Sequence, residues 1–130
     1  MPLTFHPHSG DIVICDYSTG FRPPEMVKVR PVVVISPRRR GSQLVTVVPI
    51  SSVAPLLVEP WHYLLPDGAY PPARGPMWVK ADLIATVALA RLDRVKVKGP
   101  GGTRGYHVFR LTAADMRAIG AAVKAALGLS

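Results

Sequence analysis

A small, curled, mostly antiparallel β-sheet with one C-terminal helix is the fold this sequence predicts, on three observations. Short runs of β-branched residues recur between turn residues. The chain has 14 prolines and 11 glycines, too many for a helical protein and suited to short strands joined by turns. Helical periodicity is clear only after Leu111. The 130 residues fit one domain, 1–130, and a hydrophobic content of 48% is enough for a core.

The elements follow in order. "GDIVICDY" (10–17) opens with turn residues and continues as a strand. "STGFRPPE" (18–25) is a loop, because Gly20 and the Pro23–Pro24 pair forbid regular structure. "RPVVVIS" (30–36) is a second strand, central by its unbroken apolar character, with Pro31 expected at its first position. "PRRRGSQ" turns the chain into "LVTVVPIS" (44–51), a third strand in a hairpin with the second. Residues 53–76 are proline-rich, with a short strand expected around "WHYLL". "MWVKADLIATV" reads as a strand bent at Lys80–Asp82. "DRVKVK" and "YHVFRL" alternate polar and apolar residues, so they pair as a hairpin across the flexible "GPGGTRG".

The helix has both of its ends written in the sequence. Thr112 with Asp115 three residues on is a capping box. Met116, Ile119, Val123 and Leu127 line one face, predicted to pack on the sheet, with Arg117 and Lys124 opposite. Gly128 is the expected stop. A curled sheet of this size removes its edges by closing into a small barrel.

The net charge of +8, with a pI near 10.3, points to a polyanionic partner, nucleic acid first, because cations that neutralise phosphates release counterions. No long basic amphipathic helix favours a membrane surface. The longest apolar runs fall short of the roughly 18 residues that a membrane span needs. The single cysteine, Cys15, has no internal partner, which fits a reducing, cytoplasmic compartment, and its apolar setting reads as a buried thiol. "MPLTFHPHSGD" lacks the charged and apolar blocks of a signal peptide.

No metal or cofactor pattern is present. His6 and His8 lie in a tail, His62 and His107 stand alone, and no Cys-x-x-Cys occurs. "GPGGTRG" lacks the lysine and the strand–helix setting of a phosphate loop. Arg38, Arg39 and Arg40 read equally as phosphate contacts or as a solvated turn. Arg94, Lys96 and Lys98 read more as a solvated edge, with no aromatic interleaved in either cluster. Trp61, Tyr63 and Trp78 suit base stacking, but buried packing is the commoner fate of such rings.

Four segments in order carry a family resemblance: "GDIVICDY", a loop ending in Glu25 and Lys28, "RPVVVIS", and "VVPISS". They resemble the MazF/PemK toxins of type II toxin–antitoxin systems. Those have Gly-Asp before a strand, a Glu five residues before Arg-Pro, and Val-Pro-Ile-Thr-Ser. "KADLIATVALARL" is similar to a later segment of the same toxins, so the likeness spans roughly residues 9–93. "FHPHSGDIVICDYSTGF" and "EPWHYLL" look like the YifN-like PemK subgroup.

The resemblance implies an SH3-like barrel, a homodimer, a cognate antitoxin and metal-independent cleavage of single-stranded RNA. The 2′-OH attacks its own phosphate, leaving a 2′,3′-cyclic phosphate and a 5′-OH. It places the chemistry on Arg30 and Ser51. Glu25 either orients Arg30 or accepts the 2′-OH proton. RNA contacts are expected from Phe21 and Arg22 in the loop, and from Lys28, Ser52, Lys80 and Arg38–Arg40. Two positions depart from the pattern. Ser51 replaces a threonine and lacks the methyl that stiffens χ1. Leu83 stands where many members have glutamine. Two rival readings go with these departures: a non-catalytic SH3-like module binding nucleic acid or protein, and a degenerate toxin that only titrates an antitoxin.

Overall fold

The computed structural model describes residues 2–129; the ends of the expected domain, Met1 and Ser130, lie outside them. Among the described residues ten strands precede one helix. They are β1 (Asp11–Asp16), β2 (Val29–Val34), β3 (Leu44–Ser51), β4 (His62–Leu64), β5 (Trp78–Lys80), β6 (Ala85–Ala88), β7 (Leu92–Asp93), β8 (Val95–Lys98), β9 (Arg104–His107) and β10 (Phe109–Arg110), followed by α1 (Ala113–Leu127). Every strand pair is antiparallel, and β2 lies centrally between β1 and β3.

The unbroken apolar runs of β1–β3 follow from burial on both faces. Val13, Cys15, Val32, Val34, Val45 and Val47 point into an inner core with Leu89 and Leu92. Their alternate neighbours Ile12, Val33, Val48 and Ile50 point the other way, into a core shared with Ile119 and Ala122 of α1. A one-residue slip of any of these strands would exchange the two sets.

The expected closed barrel is not formed by a continuous ladder. β6 pairs the first half of β3, and β7 pairs the end of β1. Between β6 and β7 runs a 3₁₀ turn, Leu89–Arg91. Such a turn bonds within itself and offers no strand edge. The sheet therefore curls around the inner core, and covalent chain, not hydrogen bonding, bridges its last gap. The second half of β3 pairs β5 instead, so this strand serves two arms of the sheet.

The helix is capped as the sequence predicts. The Thr112 hydroxyl accepts from the Asp115 N–H at 3.1 Å, and Gly128 ends the helix in the left-handed region. Asp115 also accepts from the Tyr63 hydroxyl at 2.7 Å, which fastens the first helical turn to β4. The buried face is made by Asp115, Ile119 and Ala122, while Leu127 is 52% exposed. Leu127 is thus not a core residue, whereas Met116 and Val123 pack against the helix-side core as expected. The N-terminal tail is not loose. Leu3 N–H donates to the Leu92 carbonyl at 2.8 Å, and the buried His6 ring lies 3.1 Å from the Leu44 carbonyl.

Candidate active site

Pro31 is the third residue of β2, not the first, and the ladder geometry explains why it is tolerated there. The β2–β3 ladder runs Val34–Val47, Val33–Val48, Val32–Pro49 and then stops. Pro31 and Pro49 both lack the N–H that a ladder needs. Carried two residues further, the same register sets Arg30 opposite Ser51. On the outer flanks, Arg30 pairs with Cys15 of β1, and Ser51 pairs with Trp78 of β5. A row Cys15–Arg30–Ser51–Trp78 thus crosses four strands, open between its two middle members. By strand alternation, Arg30 and Ser51 share the face of Val32, Val34, Val45 and Val47, at the rim of the inner core.

Arg30 is half-buried, and its Nε is buried with no hydrogen-bond partner among the described residues. Such orphans are rare in folded proteins and costly, more so on a charged group. Ser51 is buried; its Oγ accepts from the Val53 N–H at 3.1 Å. That bond uses a lone pair and leaves the O–H to donate.

The loop before β2 borders a cleft of about 200 Å³, lined by Tyr17, Phe21, Glu25, Met26 and the segment Asp82–Ala85. Glu25 is exposed there, and its carboxylate accepts from the Arg22 N–H at 2.8 Å. No ion pair within 4 Å joins Glu25 to Arg30 among the described residues, so Glu25 shapes the loop and does not clamp the guanidinium. The loop is held from the far side by Arg91, which donates to the carbonyls of Asp16 (3.0 Å) and Thr19 (2.9 Å). The Arg91 guanidinium also lies 4.8 Å from the Phe21 ring, and the Tyr17 ring meets Phe21 edge-on. Phe21 is therefore packed on both counts. Burial pushes the Cys15 thiol up to about 11 and the Tyr17 hydroxyl upward too, so both are neutral here.

Residues 8–127 match the family described as PemK-like, MazF-like toxin of type II toxin-antitoxin system. The chain belongs to this family. A Haemophilus influenzae protein, itself described as uncharacterized, is 35% identical over 107 residues, 72% of this chain and 73% of its own. Two solved structures share the fold. The MazF of Deinococcus radiodurans is 18% identical with a TM-score of 0.69, covering 96% of this chain and 99% of its own. A mycobacterial endoribonuclease, solved with its cognate antitoxin, is 24% identical with a TM-score of 0.63, covering 95% and 97%.

In this PemK/MazF-family chain, Arg30 and Ser51 lie at the open end of the β2–β3 hairpin, and the loop that carries Glu25 leads into β2 at that end. Arg22, Lys28 and Ser52 are exposed around it, and half-buried Lys80 stands two residues from Trp78 on β5. Arg38, Arg39 and Arg40 do not join them. They are exposed at the closed end of the same hairpin, about 20 Å of strand from Arg30. Of the three rings considered for stacking, Tyr63 is engaged by Asp115, and Trp61 packs against the helix-side core. Trp78 alone flanks Ser51. Sequence reading missed Arg91, Tyr17 and Asp82. Arg91 lies in the "ALARL" segment, and its Arg-Leu pair was the available signal.

Among the described residues no helix is long and apolar enough to cross a membrane.

Proposed function

We propose that the chain is a toxin acting as a metal-independent endoribonuclease on single-stranded RNA. The observation that supports this is the buried Nε of Arg30, without a hydrogen-bond partner among the described residues, on a strand whose register, carried past its last pair with β3, comes opposite Ser51. A phosphate oxygen between them would take hydrogen bonds from both. The nucleophile is tethered to its phosphate, so alignment supplies much of the rate. The 2′-oxygen attacks phosphorus, its proton passes to Glu25, and the P–O5′ bond breaks. The 5′-oxygen takes a proton from water at the open mouth, and Glu25 returns its proton to solvent. Products are a 2′,3′-cyclic phosphate and a 5′-OH. Arg30 holds the charge that grows on the equatorial oxygens, and an always-charged planar guanidinium suits that better than a proton transfer. Ser51 donates one further bond. Trp78 would stack a base beside the cut, and Arg22, Lys28, Ser52 and Lys80 would hold flanking phosphates and sugars.

The family description supports a cognate antitoxin as partner. Val53, Leu56, Leu57 and Val58 are each at least 60% exposed, an apolar run of the kind that protein partners cover. It suits an antitoxin or a second copy in a homodimer. RNA substrate and a lone thiol both fit the cytoplasm.

Incubation with single-stranded RNA in EDTA, followed by end mapping, tests the reading. Cyclic phosphate ends that vanish when the 2′-OH at the cut is replaced by hydrogen are the expected result. Binding without cleavage across many RNAs would instead establish the non-catalytic module.

A further inference from the structure

The strands β8 and β9 form a two-stranded sheet apart from the main one. Their register sets Lys96 opposite Tyr106 and Lys98 opposite Arg104. Alternation then places Arg94, Lys96, Lys98, Arg104 and Tyr106 on one face. All five are exposed, whereas Val95 on the other face is buried. Residues 94–110 hold five of the chain's 16 lysines and arginines and no acid at all. Like charges directly opposite one another weaken a strand pair, and an isolated hairpin is marginal to begin with. The one aromatic on this face is Tyr106. Its ring carries the Arg94 guanidinium at 5.1 Å and stays 49% exposed.

We propose that this face of the β8–β9 hairpin is a second RNA-binding surface, holding the sugar–phosphate backbone of the strand outside the cut. Successive cations on one strand face are about 6.6 Å apart, comparable to successive phosphates of an extended strand. Tyr106 with Arg94 supplies a sequence-tolerant stacking platform. A protein with an acidic tail would use the charges but has no need of the ring. The hairpin is rooted near the site. Leu92 pairs with Cys15, which pairs with Arg30, two strand spacings or about 10 Å across. The proposal rests on the RNA reading for its ligand but not on cleavage.

Binding of an all-2′-O-methyl RNA, which cannot be cut, is measured by fluorescence anisotropy against salt. Wild type is compared with the triple variant Lys96→Gln, Lys98→Gln, Arg104→Gln. The log–log salt slope should become shallower by about 2, roughly 0.7 per lost phosphate contact. Tyr106→Ala should weaken binding about tenfold, and Tyr106→Phe should bind like wild type. With cleavable RNA, the triple variant should show a raised KM on a long strand. Its rate should be unchanged on a strand just long enough to span the site. If the triple variant melts below wild type, the three single variants, each worth about 0.7 of slope, decide the matter. An unchanged slope overturns the proposal. So does unchanged RNA binding together with lost binding of an oligoglutamate peptide, which would mark a protein-docking face. Absence of cleavage with the slope effect intact overturns the nuclease reading alone and leaves the hairpin surface standing.

Discussion

Arg30 stands directly across the β1–β2 ladder from Cys15, and the two differ in the way that matters for a site. The thiol is wholly buried, while Arg30 is half-buried with its Nε enclosed. Cys15 thus supplies packing, and the proposed chemistry falls to Arg30.

Cys15 should govern stability at high pH without touching catalysis. Burial raises its pKa from 9.0 to about 11. Below pH 9 both folded and unfolded chains keep the proton, and the contribution is constant. Between pH 9 and 11 the unfolded thiol ionises first, so the folded state holds more protons and stability falls as pH rises. The loss is about 2–3 kcal/mol across that window. Denaturant titrations at pH 8 and pH 11 should show it as a difference between wild type and Cys15→Ala. Equal falls in both proteins would remove the thiol as the cause.

Glu25→Gln separates a base from a loop-shaping residue. The amide keeps an oxygen to accept the Arg22 N–H, so the turn survives. Loss of the proton acceptor should lower kcat by about a hundredfold or more with KM little changed. A variant that cuts at full speed would confine Glu25 to shaping the loop.

Ser51→Ala should lower single-turnover cleavage about a hundredfold, since one donor to the transition state is removed. Ser51→Thr should cut at least as fast as wild type, because the added methyl restricts χ1 without removing the hydroxyl. Were the alanine variant unimpaired, Ser51 would have no part in the chemistry.

Asp11 and Arg110 form an ion pair at 2.9 Å, but their losses should be unequal. Asp11 is 2% exposed and also accepts the His8 N–H at 2.9 Å, whereas Arg110 is 63% exposed. Asp11→Ala strands that N–H and should cost about 1–3 kcal/mol. Arg110→Ala removes a solvated partner and should cost less than about 1 kcal/mol. Chemical denaturation reads both, and the reverse order would refute this division.

Local rules made much of this fold legible in advance. The apolar runs of β1–β3 and the Thr112–Asp115 cap follow from local preference, and tertiary packing agreed with them. Long-range facts were not legible. Whether β6 and β7 meet depends on the three-residue turn at Leu89–Arg91, which periodicity does not register. Pattern alone puts Pro31 at the strand start, whereas its tolerance inside β2 depends on the β3 ladder stopping at Val32–Pro49. Arg38–Arg40 looked close to Arg30 in sequence and are a hairpin's length away. The Arg30–Ser51 juxtaposition was reachable only through family resemblance. Its physical cause, a proline in each strand, emerged from the register. Tyr106 is not interleaved with the hairpin cations in sequence, because it lies across the ladder from Lys96, on β9.

The role of Arg30 is the claim on which the rest depends. Single-turnover cleavage of single-stranded RNA in EDTA by Arg30→Ala, beside wild type, tests it directly. Melting curves supply the fold control. Because the alanine removes a buried nitrogen that has no hydrogen-bond partner among the described residues, the variant should melt at or above the wild-type temperature. Its cleavage rate should fall by about 10²–10³ or more. A folded Arg30→Ala protein that cuts RNA at the wild-type rate would contradict the account.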